Sequence, residues 1–261
     1  MKNNLFILIV GVLITSCDFT PPLNKEIIDA QQAIIQQKYD SAISKYQSIL
    51  EKNPPLDIQV KINYQIGDLY SIYLSQNTKA LPYYERIMKI SEDPLWLVKT
   101  QDRLGEIHFT YLKNYKLSAS IYEKLSLFQP KLAKQDFYQF RYALSTLKTG
   151  DYKNSLVFFK IIEDTKESSY TTRSLYFQGL IHFQQKNWKQ AVAIWKKYLM
   201  REKRRDNIVQ TKFLMANAYE TMEKLKAAYN IYYSILGEYP NTEVIKNRLK
   251  SIYERRVARK R

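Results

Sequence analysis

A small residue recurs along this chain at Ala30, Gly67, Gly105, Ala143, Gly179 and Ala216, in steps of 36 to 38 residues. A second small residue follows each, at Ala42, Ala80, Ser118, Ser155, Ala191 and Ala228. A large aromatic comes next, at Tyr46, Tyr84, Tyr122, Phe159, Trp195 and Tyr232. A period of this length marks one supersecondary unit stacked on copies of itself, and it constrains the fold more than any other feature. The filling between the repeated positions is helical in type. Leu, Ile, Ala, Lys, Gln and Glu return at three- and four-residue intervals, and only six glycines occur in 261 residues, so each unit reads as two antiparallel helices. Glycine in a helix interior costs ~1 kcal/mol relative to alanine, and its return at 67, 105 and 179 needs a reason. Close approach of a partner helix supplies one.

The pattern resembles the tetratricopeptide repeat, which places a small residue at position 8, an aromatic at 11, alanine at 20, an aromatic at 24 and proline near 32. Residues 23–56 match at full length, with Ala30, Ala42, Tyr46, Ile49 and Pro54 in register. The second and third copies place Tyr70 and His108 at position 11, close with Pro94 and Pro130, and carry one extra residue in the turn between their helices. The fourth has Gly150-Asp151-Tyr152 in that turn, and the fifth has His182 at position 11. The sixth has Tyr219 there and closes at Pro240. The resemblance implies an all-α chain: a right-handed α-solenoid of about six helix pairs over residues 23–240. Residues 241–261 read as one more amphipathic helix, basic and capping the last repeat, with Asn241 or Thr242 as N-cap. Its expected apolar stripe is Val244, Ile245, Leu249, Ile252 and Tyr253. No Ser- or Gly-rich linker interrupts the array, which reads as one domain.

The chain opens MKNNLFILIVGVLITSC. Lys2 followed by the apolar run Leu5–Ile14 suits a secretory signal and is too short for a transmembrane helix, which needs ~20 residues. Ile14-Thr15-Ser16-Cys17 resembles the bacterial lipobox. That likeness implies a signal peptide over 1–16, removed on export, with acyl chains on Cys17 and a tether at 17–22. Each buried methylene contributes ~0.8 kcal/mol, so two or three chains hold firmly. Cys17 is the only cysteine, so no intramolecular disulfide forms. The expected location is the bacterial envelope, lipid-anchored with the repeats in the periplasm. Asp18 resembles the inner-membrane retention signal of enteric bacteria, and the choice between inner and outer membrane stays open.

The only two histidines sit in near-identical frames, GEIHF at 105–109 and GLIHF at 179–183. A split metal site or an acid/base pair would need them together. Both fall at position 11, two periods apart, and packed helices ~8–10 Å apart put such positions ~20 Å from each other. Zinc ligands lie within ~2.1 Å of the ion, so the pair reads as one structural slot used twice. Phosphate loops, HExxH, CxxC and the nucleophile elbow are missing from the sequence. The expectation is no enzyme, no cofactor, no metal and no small-molecule substrate.

Binding is what remains. In tetratricopeptide arrays the first helices line a groove, mainly through positions 2, 5, 9, 12 and 13. Carried over, these are Tyr64, Asp68, Asp102, Glu106, Phe109, Phe137, Phe140, Leu144, Arg173, Tyr176, Leu180, Phe183, Phe213 and Asn217. Aromatic position 5 could instead be partly buried by the neighbouring repeat. The formal charge is +16, concentrated at Arg201, Lys203, Arg204 and Arg205 and again at Arg255, Arg256, Arg259, Lys260 and Arg261. Such runs suit a solvated face or attraction to an anionic lipid or envelope polymer. Export leaves nucleic acid out. The architecture is similar to the tetratricopeptide lipoprotein of the outer-membrane β-barrel assembly machine. EYPNTEVIKNRLKSI at 238–252 resembles the close of the periplasmic tetratricopeptide protein that accompanies Tol–Pal. The function expected is a lipid-anchored adaptor that binds envelope proteins or peptides in its groove, the alternative a surface-binding module using the basic C-terminal end.

Overall fold

The computed structural model describes residues 22–165 and 168–259, and within them the secondary structure is helical. The helices gather in two compact units, one up to Glu92 and one from Asp93. The first holds α1 (Pro22–Ile35), α2 (Tyr39–Glu51), α3 (Leu56–Asp68) and α4 (Asn77–Ile90). The second holds α5 (Pro94–Glu106), α6 (Tyr115–Ser126), α7 (Gln135–Thr149), α8 (Tyr152–Asp164) and α9 (Thr171–Gln184). It continues through α10 (Trp188–Leu199), α11 (Arg205–Thr221), α12 (Leu225–Tyr233) and α13 (Thr242–Ala258). None of these helices is long and apolar enough to cross a membrane. The lipobox with Cys17, the signal segment, Lys260 and Arg261 lie outside the described residues.

The helices pair as the repeat requires. In each pair the position-24 aromatic of the second helix is almost wholly buried, from Tyr46 at 1% exposure to Trp195 at 0%. It lies against the position-8 residue of the first helix. A Cβ added at Gly67 would stand 2.6 Å from the Tyr84 ring, at Gly105 2.8 Å from Tyr122, and at Gly179 2.3 Å from the Trp195 Nε1. Those glycines are therefore present because a ring occupies the space of their side chain. Where position 8 is alanine, the ring is Tyr46, Phe159 or Tyr232.

Every turn between paired helices closes on a residue in the left-handed region. These are Gln37, Ser75, Lys113, Gly150, Lys186 and Glu223, with φ between 53° and 83°. Around Gln37 the bonds are Gln37 N–H to Ile34 O at 2.8 Å and Lys38 N–H to Ala33 O at 2.8 Å, the doubled closure of a Schellman cap. Gly150, Lys186 and Glu223 repeat it. The sequence pattern puts the extra residue of the second and third copies in the turn, and the structure corrects this. The residue instead widens the end of the first helix into a π-helical turn, Leu69–Tyr73 after α3 and Ile107–Tyr111 after α5. Leu74 N–H reaches Leu69 O and Leu112 N–H reaches Ile107 O, both at 3.0 Å. A single inserted residue is absorbed this way, and the turn still closes on a left-handed residue, Ser75 or Lys113.

Helix starts follow short side chains. Asp93 accepts from Leu95 N–H at 2.8 Å with Pro94 in the first turn, and Asn114, Asp151 and Asn241 cap α6, α8 and α13 in the same fashion. Asn241, not Thr242, is thus the cap of the last helix. That helix buries Ile245 and Ile252 and partly covers Leu249 against the α11–α12 pair. Tyr253, expected on the same stripe, is 60% exposed. It stands ~100° around the helix from Ile252, beyond the narrow seam that one facing pair can cover.

Candidate protein-binding face

The first helices of the second unit set the candidate face. Between α7 and α9 lies a cavity of about 350 Å³ lined by Phe137, Phe140, Leu144, Tyr170 and Phe177, with Arg141 and Arg173 at its polar side. Between α9 and α11 lies a second, of about 300 Å³, with Tyr176, Phe177 and Tyr198 as its apolar wall. Arg173, Glu202, Arg204, Asn207 and Gln210 complete it. Arg173 and Phe177 belong to both cavities.

The aromatic residues are held by each other. Phe140 is 5% exposed, with its ring centroid 4.8 Å from that of Tyr170 and 5.8 Å from that of Phe159. It is part of the core and only closes the cavity floor, because Tyr170, ahead of α9, covers it. Phe137 and Tyr176 are half-buried, and the Tyr176 ring lies 5.5 Å from that of Tyr198. The half-buried Phe213 stacks on Tyr239 at 4.4 Å. Phe183, with rings of Trp188 and Trp195 at 4.8 Å and 5.5 Å, belongs to another cavity, which includes Asn217, Glu220, Arg248 and Arg255. The α13 arginines form one wall of that third cavity.

Glu202 anchors the corner before α11. Its side chain is 7% exposed and accepts from Tyr198 OH at 2.8 Å, Asn207 Nδ2 at 2.9 Å and the Arg204 backbone N–H at 2.9 Å. Arg204 adds two guanidinium contacts at 3.3 Å. Burial alone would push this carboxyl upward, but the bonds from Arg204, Asn207 and Tyr198 outweigh it and hold the group well below the ordinary carboxylate range. Tyr198 moves the other way, raised by burial and by the same carboxylate.

The carboxylates named from the sequence are committed inside the chain. Asp102 pairs with Lys134 at 2.9 Å, and Glu106 pairs with Arg141 at 2.8 Å and accepts from Thr110 at 2.6 Å. The Arg141 guanidinium also lies over the rings of Phe109 at 4.4 Å and Phe137 at 5.2 Å. Arg141 was not among the expected residues, although it organises three of them. In the first unit Tyr64 sits edge-on to Tyr84 at 5.8 Å, and Tyr84 OH donates to Asp68 at 2.6 Å. In the last pair Tyr232 OH donates to Asn217. Asp68 and Asn217 thus serve the hydroxyl of a core tyrosine. The sequence carries a signal for this: tyrosine at position 24 is matched by Gln31, Asp68, Glu106 or Asn217 at position 9, whereas Phe159 and Trp195 are matched by Leu144 and Leu180.

The histidines stay apart. His108 lies buried in the π turn after α5, and His182 lies near the end of α9, with α6, α7 and α8 between those helices in the stack. Burial lowers the pKa of His182 below its ordinary 6.5. Among the described residues no group of three or more His, Cys, Asp or Glu side chains could hold a metal ion. Several cations expected to form an anionic-surface site are spoken for. Arg204 pairs with Glu202 and Arg205 with Glu238. Arg255 pairs with Glu220 at 3.0 Å and Glu223 at 2.5 Å, and Arg259 with Glu223 at 2.6 Å. Arg256 lies over the Tyr229 ring, while Arg201 and Lys203 are exposed.

No known protein family matches the sequence, and no curated protein does. Solved structures match it over most of its length. PilW, described as a widely conserved type IV pilus biogenesis factor, is 16% identical over 88% of this chain and 98% of its own, with a TM-score of 0.54. The apo form of RapI is 15% identical over 91% of this chain and 76% of its own, at 0.56. The apo quorum sensor NprR from B. thuringiensis is 15% identical over 88% and 68%, at 0.52. At these identities the likeness is one of fold: the chain is an all-α array of helix pairs that follow the tetratricopeptide pattern of the sequence.

Proposed function

We propose that this chain is an exported, lipid-anchored adaptor of the bacterial cell envelope that holds partner proteins on the first-helix face of residues 93–259. The observation that carries the reading is the pair of aromatic cavities that share Arg173 and Phe177 as lining. Concave sites with an apolar wall and a few fixed polar groups are where proteins take up ligand side chains. The fold supports the same reading, since a pilus biogenesis factor and a quorum sensor are built on it. Export and anchoring rest on the lipobox and the short apolar run before it. A role through the basic end alone has less support, because Arg204, Arg205, Arg255 and Arg259 already neutralise carboxylates of this chain.

A photoreactive phenylalanine analogue placed at Tyr176 tests the face, with the same analogue at the exposed Lys160 of α8 as control. Partner adducts are expected from position 176 and not from 160; equal adducts from both would remove the face from the reading. Membrane fractionation of wild type against Cys17→Ala tests the anchor, and an unchanged distribution would remove it.

A further inference from the structure

We infer that the face recognises an internal acidic residue flanked by bulky apolar side chains, with Arg173 receiving the carboxylate and the two cavities receiving the apolar groups. The inference rests on the face being the binding site, and it adds the chemistry of the ligand.

Three observations lead to it. First, each cavity has side-chain dimensions. Pockets for whole small molecules run from ~300 to 1,000 Å³, so cavities of about 300 and 350 Å³ stand at the small end of that range, with room for a large side chain apiece. Second, the charge left over is positive and sits between them. Glu202 is saturated by Tyr198, Asn207, Arg204 and the Lys203 backbone N–H. Arg204 spends its Nε and Nη2 on that carboxylate, and Arg141 is engaged with Glu106. Arg173 is exposed, lines both cavities and makes no ion pair among the described residues. A guanidinium beside aromatic walls is a bidentate receptor for a carboxylate. Third, Arg173 and Phe177 line both cavities, so a chain reaching the arginine has an apolar seat on either side. That geometry suits a segment passing through rather than one ending there. The exposed amide of Gln210 and the half-buried one of Asn207 stand at the rim of the second cavity for backbone contacts.

The experiment selects a phage-displayed library of random 12-residue peptides on the immobilised full chain, then measures affinities of the synthetic, C-terminally amidated peptides by fluorescence anisotropy. Support is enrichment of Asp or Glu with bulky apolar residues on both sides, at least about tenfold weaker binding to Arg173→Glu, and recovery on that variant when the peptide acid becomes Lys. Circular dichroism confirms that the variants fold. Peptides that lose affinity with Tyr176→Ala but ignore Arg173→Glu overturn the inference and leave the face intact. Peptides that bind only with a free terminal carboxylate overturn it in favour of end recognition. Failure to enrich any peptide, or indifference to both variants, overturns the inference and the face together.

Discussion

Gly179→Ala is the sharpest test of how each ring packs onto its small residue. In most helix interiors this change stabilises, because alanine is favoured over glycine by ~1 kcal/mol. At position 179 the new Cβ would lie 2.3 Å from Trp195 Nε1, 2.4 Å from Cδ1 and 2.7 Å from Cε2. Carbon contacts settle near ~3.5 Å, so the indole must retreat by roughly 1.2 Å. Trp195 has no room for that. It is 0% exposed, its Nε1–H donates to Tyr176 O at 3.1 Å, and the Phe183 ring lies 5.5 Å away. Overpacking of this kind costs ~1–3 kcal/mol, and a broken, buried Nε1–H adds up to ~1–3 kcal/mol more. After the helix-propensity gain, a net loss of about 1–5 kcal/mol is expected.

Urea denaturation followed by far-ultraviolet circular dichroism measures it, together with a compensating change. Trp195→Phe in the Gly179→Ala background rebuilds the Ala143–Phe159 pairing that the α7–α8 pair already uses. Trp195→Phe alone removes volume and destabilises. The double variant should lose less than the two single losses combined, by an interaction of ~0.5–3 kcal/mol. A Gly179→Ala protein as stable as wild type or more so, or strict additivity, would refute the claim that the glycine makes room for the ring.

Gly150 has a different reason and a different outcome. Nothing lies within 4 Å of an added Cβ there, but φ is +83°, so Gly150→Ala should lose ~1 kcal/mol from backbone strain alone. Conversely, Lys186→Gly, at φ 62° in the equivalent turn, should gain up to ~1 kcal/mol in the same denaturation assay. Tyr84→Phe removes the hydroxyl that donates to Asp68 and should lose ~1 kcal/mol, and adding Asp68→Leu should restore part of it by copying the Leu144–Phe159 match. Glu202 is held below its ordinary value of 4.5, so in acid the unfolded chain binds the extra proton. Its contribution is complete above that value and falls away as pH drops. Melting temperature from pH 7 to pH 3 should therefore decline less steeply in Glu202→Gln, whereas parallel curves would contradict the assignment. His182, lowered from 6.5 by burial, adds a loss of stability as pH falls below that value, which His182→Phe should remove.

Some of this was legible in the sequence and some was not, for reasons that differ by residue. The paired helices were legible because each repeat must fit a ring onto a small residue, and both partners are strong, periodic signals. The π turns were not. A one-residue insertion satisfies the hydrophobic pattern equally in a helix end or in the loop after it, and only the folded backbone shows which it takes. Phe140 at position 5 could not be judged exposed or buried from its own repeat, because Tyr170, thirty residues on, covers it. The same distance hides Arg141, whose partner Glu106 and ring Phe109 belong to the preceding first helix, and Glu202, whose bonding partners converge only once α11 packs.

The split between position 9 and position 24 bears on how any groove residue in such an array should be read. A polar side chain on a first helix has two claims on it, the partner outside and the buried hydroxyl beneath. Asp68 and Asn217 answer the second claim, and Glu106 is drawn off by Arg141. Each therefore presents to a ligand less charge or hydrogen-bonding capacity than its residue type suggests. Arg173 is exposed and makes no ion pair among the described residues, and the Glu202 carboxylate that shares its cavity is taken up by Arg204, Asn207 and Tyr198, which leaves the arginine's charge facing outward. The residue best placed to recognise a partner is thus the one that the fold does not use, and in this chain that criterion singles out a position with no repeat consensus of its own.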